Sequence, residues 1–154
     1  MKLIMKAKLL LLLAIMLPLW ACSQTRMLNS LPTGDGITKV YIGPAMMKLS
    51  GGMVDKYASE YSNVIKDIKS VEVYSCENKL KCALVIAEFE KLLTKYNTEQ
   101  MVESEEGGER SLIYIIMDKD NEEIGGMLIF NSEPGEVDIV AINGKIDPSA
   151  FVQQ

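Results

Sequence analysis

Histidine is absent from the chain. That removes His-based triads, the usual His-containing zinc sites and the commonest general base together. Cysteine occurs three times, at Cys22, Cys76 and Cys82. None of these stands in the C-x-x-C spacing of a dithiol oxidoreductase. No glycine loop has the pattern that cradles phosphates, and no G-x-S-x-G elbow marks a hydrolase nucleophile. Positive charge is also scarce: 16 basic residues face 21 acidic ones, a net charge of −5. Lys2, Lys6 and Lys8 all fall in the first 21 residues, so the rest of the chain is more acidic still. That balance argues against nucleic acid or anionic lipid headgroups as natural partners.

What is present begins with an export leader. Lys2, Lys6 and Lys8 form a positive n-region, Leu9–Leu17 an apolar h-region and Pro18–Ala21 a short exit segment. The apolar run is shorter than the roughly 20 residues a spanning helix needs. Leu19-Trp20-Ala21-Cys22 resembles the lipobox of bacterial lipoproteins, with Trp20 unusual at its middle position. The resemblance implies diacylglyceryl transfer to the Cys22 thiol, cleavage before Cys22 and acylation of the new terminus. Two or three acyl chains suffice for stable anchoring. An ordinary cleaved signal and an uncleaved anchor are the alternatives. Ser23 in place of Asp fits transfer to the outer membrane, with the domain facing the periplasm. The expected division is a signal peptide over 1–21, the lipidated cysteine and a flexible tether over 22–36, and one domain over 37–154.

The stretch Val71–Asn97 organises that domain. It reads as a strand, a tight junction at Ser75–Asn78 and a helix over Lys79–Tyr96. Cys82, Val85, Ile86, Phe89, Leu92, Leu93 and Tyr96 recur at spacings of three and four, one face of a helix. Asn78 suits the N-cap, and Asn97 suits a left-handed terminus. Before this unit, Thr38–Ile42 is β-like and Pro44 opens a short helix through Leu49, broken by Gly51-Gly52. Asp55–Tyr61 reads as a further helical turn or two. After it come strands at Met101–Glu106, Ser111–Met117, Ile124–Phe130 and Val137–Ile142. Gly107-Gly108, Lys119–Asn121 and Pro134-Gly135 separate them, and Asn143-Gly144 ends the last. Asp147-Pro148 then opens a small terminal helix through Phe151. The class is α+β: an antiparallel meander of four to five strands, one long amphipathic helix on a face, and short N-terminal helices.

Ser111–Met117 is apolar on both faces, which predicts a sheet covered on both sides. The long helix covers one. The Pro44–Tyr61 region, a second subunit or a partner covers the other.

Chemistry-bearing groups are few. Export places Cys76 and Cys82 where disulfides form. A bridge, two free buried thiols, and redox or metal chemistry are the readings in play. Met46, Met47 and Met53 suit a pliable apolar patch or a soft metal. Asp118, Asp120, Glu122 and Glu123 suggest calcium, but Glu123 and Ile129 stand where an EF-hand needs Gly and Glu, so a solvated turn is expected. Glu105, Glu106 and Glu109 form a second acidic group around a turn, with nothing to mark a buried acid–base pair.

The residue order Val40-Tyr41-Ile42-Gly43-Pro44-Ala45-Met46, Ile68-Lys69-Ser70-Val71-Glu72-Val73, Ser75-Cys76-Glu77-Asn78 and Ile142-Asn143-Gly144-Lys145-Ile146-Asp147 resembles the small envelope proteins grouped as domain of unknown function 4252. The resemblance runs over roughly Thr38–Phe151. It implies an exported, usually lipid-anchored α+β domain without an assigned activity, and it brings no catalytic residues. The expectation is a non-enzymatic module that binds a protein partner or itself, with no cofactor and no metal. A small-molecule or lipid-binding module is the alternative.

Overall fold

A computed structural model of the chain describes residues 26–49, 65–118 and 123–146. The leader, Cys22, Gly51-Gly52, the expected turns at Asp55–Tyr61, Met53, Asp120, Glu122 and the expected helix after Asp147 lie outside the described residues.

The described elements are a 3₁₀ turn at Met27–Ser30, β1 (Ile37–Ile42), α1 (Pro44–Leu49), β2 (Ile65–Cys76), α2 (Lys79–Lys95), β3 (Thr98–Glu106), β4 (Glu109–Met117), β5 (Ile124–Glu133) and β6 (Glu136–Ile146). The six strands form one antiparallel sheet in the order β1-β2-β6-β5-β4-β3. The class is α+β, and the meander expected after the long helix is β3 to β6. Two further strands complete it, because β2 pairs with β6 and β1 with β2.

Turn chemistry sets the register. Gly107 and Gly108 both take positive φ, 60° and 86°, as a two-residue hairpin turn requires. Gly126 sits where an added Cβ would lie 2.7 Å from the Ile142 carbonyl oxygen, beside the irregularity between Ile116 and Met117. The last strand does not stop at Asn143-Gly144. It continues to Ile146, and Gly144 (φ 151°) faces the register shift between Ile68 and Ser70. A glycine that reads as a terminator in sequence here absorbs an irregularity inside a ladder.

The long helix is capped as expected: the Asn78 side chain accepts from the Leu80 N–H at 3.0 Å. Its other end falls one residue short of Tyr96. Tyr96 is extended (φ −95°, ψ 150°) and donates its N–H to Leu92, so the chain has already left the helix before Asn97. All seven residues of the predicted stripe pack into the core. They meet one sheet face formed by Tyr74, Cys76, Leu112, Leu128, Phe130, Val137, Ile139 and Ala141. Phe89 sits at the centre, stacked on Phe130 at 4.8 Å and edge-on to Tyr114 at 6.1 Å.

Residues 26–36 correct the expected tether. Leu28 and Leu31 are 3% and 2% exposed and belong to the core. Pro32 accepts from the Tyr74 hydroxyl at 2.9 Å, and Lys81 donates to the Thr33 carbonyl. The stretch looks like a linker because its Asn, Ser, Pro and Gly residues show no period. Two isolated leucines between them are enough to seat it beside α2.

Candidate interaction surfaces

The sequence-predicted site residues separate. Cys22 lies outside the described residues. Cys76 and Cys82 come together where β2 hands over to α2. Both thiols are free, and both donate to the Asn78 carbonyl, at 3.6 and 3.3 Å. Burial raises the Cys82 thiol pKa, and the neighbouring Cys76 adds to the rise. A raised pKa does not activate the Cys82 thiol as a nucleophile. Next to the acidic turn of Glu105, Glu106 and Glu109, Glu103 pairs with Arg110 at 3.0 Å across the β3–β4 hairpin, which lowers the pKa of Glu103. Both partners are about half exposed, as suits a solvated rim.

Glu72 went unnoticed in the sequence. Its carboxylate is buried and accepts the Met27 N–H at 2.8 Å and the Leu28 N–H at 3.2 Å, so it fastens the 3₁₀ turn onto the sheet. Burial raises its pKa, against the pull of those amides, Arg26 and Lys39. Lys39 responds in kind: burial lowers its pKa and Glu72 raises it. Arg26 lies over the Tyr41 ring at 4.3 Å. The signal was available, since Glu72 interrupts an apolar strand on its helix-facing side, where an acid needs partners.

The opposite sheet face is built in rows. Val40, Val73, Val140, Ile129, Ile113 and Val102 are register partners in turn, one from every strand. Five strand spacings make this row about 24 Å wide. The next row toward α1 is Ile42, Val71, Ile142, Met127, Ile115 and Glu99. The row on the other side is polar: Thr38, Ser75, Asp138, Asn131, Ser111 and Ser104. Met127 and Ile115 are buried at the centre, whereas Val40, Val73 and Val102 are 46%, 37% and 46% exposed.

The two sheet edges differ. β3 carries Glu99, Glu103, Glu105 and Glu106, and its pairing with β4 is irregular between Gln100 and Val102. Edge charges and bulges both discourage pairing with other chains. β1 reads Ile-Thr-Lys-Val-Tyr-Ile, has no acid and pairs with β2 without irregularity. Its one charge, Lys39, is exposed, with Nζ donating to the Leu31 carbonyl at 3.1 Å. Among the described residues nothing pairs with the outer edge of β1.

Residues 33–153 match the family model described as Domain of unknown function (DUF4252). Neither the curated proteins nor the solved structures provide a match.

Proposed function

The chain belongs to the DUF4252 family, and from that premise we propose that it is an exported, lipid-anchored envelope protein. Its domain binds a protein partner and performs no catalysis. The observation that supports this reading is the contrast between the edges. β1 has one lysine, no acid and no bulge, and the six-strand apolar row reaches it at the exposed pair Val40 and Val73. An extended partner segment would pair with β1 through main-chain hydrogen bonds and set alternate apolar side chains beside Val40. The leader and the lipobox-like Leu19-Trp20-Ala21-Cys22 support the anchor.

The test is site-specific photo-crosslinking in the native cells, with the reactive group at Thr38 on β1 and, as control, at Glu103 on β3. A single adduct band at Thr38, absent at Glu103 and weakened by Cys22→Ala, is expected. Equal yields from both edges, or none from β1, would remove the edge from consideration.

A further inference from the structure

We infer that the lysine-bearing end of the domain rests on anionic phospholipid headgroups, with the acidic hairpin end pointing away from the membrane. The inference builds on the anchored reading of Cys22 and adds an orientation to it.

The first ground is chain length. With residues 26–36 packed on the domain, only four peptide steps separate Cys22 from Arg26. Fully extended, they reach at most about 14 Å. An acylated Cys22 therefore holds Arg26 at the headgroup layer and leaves the domain little freedom to stand off.

The second ground is where the chain leaves the fold. Glu72 grips Met27 and Leu28, and its register partner on β1 is Tyr41, one residue before that strand ends. Arg26, over the Tyr41 ring, thus lies toward the end of the sheet where β1 runs into α1. Beside it is a cavity of ≈ 380 Å³ lined by Pro44, Met47, Lys48, Ile68, Lys69 and Lys145. Lys69 also lines the neighbouring cavity that Met27 borders, which makes the lysine cluster contiguous with the exit point. All three lysines are exposed around an apolar floor, and Met46 beside them is 57% exposed. Cations over an apolar floor fit an anionic headgroup layer.

The third ground is charge segregation. Acids occur at the lysine end too: Glu123 lies 4.0 Å from Lys145, Asp67 is the register partner of Lys145, Glu99 ends the row toward α1, and Asp118 is on the β4–β5 side. Among the described residues the opposite end is the more acidic, with Glu105, Glu106 and Glu109 at one turn and Glu133, Glu136 and Asp138 at the next, against Arg110, Lys79 and Lys81. A negative surface potential turns such a dipolar molecule with its less acidic, lysine-bearing end down. The net negative charge conceals this, because Lys48, Lys69 and Lys145 come from three separated segments.

The experiment uses the full mature chain, purified from membranes and reconstituted in vesicles of phosphatidylethanolamine with phosphatidylglycerol, or of phosphatidylcholine alone. Intact mass reports acylation, and a water-soluble amine-acylating reagent reports the exposure of each lysine. In the anionic vesicles Lys48, Lys69 and Lys145 should react roughly threefold more slowly than in phosphatidylcholine, and the protection should fade in high salt. Lys79 and Lys81, at the other end, should be unchanged. The Lys48→Gln, Lys145→Gln double variant should lose the protection at Lys69. An acylated chain with uniform rates at both ends overturns the orientation alone. Protection that persists in phosphatidylcholine also overturns it, and favours a protein contact. A chain without the acyl mass overturns the anchored reading and the orientation together.

Discussion

Leu128 and Ile129 are neighbours in β5 and belong to opposite faces of one sheet. Leu128 is fully buried under the long helix, among Phe89, Tyr114 and Phe130, whereas Ile129 is half-buried in the apolar row that runs from Val40 to Val102. The first face is closed by a helix whose stripe, cap and aromatic centre all suit it. The second is apolar along two of its rows, save for Glu99, and opens to solvent at both edge strands. Alternation along a strand specifies which side chains share a face. It does not specify what will cover that face.

The largest expected effect tests how unequal the faces are. Phe89→Ala should cost about 3–5 kcal/mol in chemical denaturation, because it empties the centre of the helix-covered core. Ile129→Ala should cost clearly less, since part of that side chain is already in water. Equal losses would mean that the second face is sealed as tightly as the first, and the contrast would collapse.

Glu72→Ala probes the polar device on the closed face. Two backbone N–H groups lose their acceptor, one of them buried, for about 2–3 kcal/mol in all. Hydrogen exchange at Met27 and Leu28 should accelerate well before that of Val85 or Leu92 on α2. A uniform rise throughout would show the turn to be part of the global unfolding unit and not a separate clamp. At the edge of the same face, oxidising Cys76 and Cys82 to a bridge should add about 2 kcal/mol, the chain-entropy value for so short a loop. Thiol alkylation with mass analysis, and denaturation with and without reductant, measure both the state and its worth. No change in midpoint between the two states would assign the pair no stapling role.

The open face should respond in the reverse sense. Val40→Asp with Val73→Asp sets two like charges opposite each other at partly exposed positions, so it should cost about 1–2 kcal/mol and leave the domain folded. It should abolish the Thr38 crosslink. A double variant that unfolds, or one that crosslinks undiminished, would place the binding surface elsewhere.

Legibility in the sequence divides along the same line. The helix stripe from Cys82 to Tyr96, the Asn78 cap and the Gly107-Gly108 turn were readable, because each depends on spacing or on one residue's conformational freedom. The packing of 26–36 was not. Leu28 and Leu31 show no period, and the acid that holds the turn is more than forty residues away. Gly144 misled for a related reason: positive φ serves a turn and a ladder irregularity alike, and only the partner strand decides which. The lysine groove was hidden by its assembly from α1, β2 and β6, and the row from Val40 to Val102 by its derivation from six strands.

The smallest effect concerns the polar rim of the open face, where β5 turns into β6. Glu133 and Glu136 are register partners across that turn. A hydrogen bond shared with Glu133 raises the pKa of Glu136 to about 7, with Asp138 and Glu77 adding repulsion. The unfolded chain releases this proton near 4.5. Between those two values the folded state holds more protons, so stability falls as pH rises through the window and levels off above it. Glu136→Gln should flatten that decline, leaving the variant slightly more stable than the parent at pH 8 and little changed at pH 4. Both carboxyls are near water, so salt should shrink the difference. Thermal midpoints at the two pH values, each in low and high salt, decide it. A decline that survives the substitution must come from another raised carboxyl, and the buried Glu72 on the closed face is the group to exchange next.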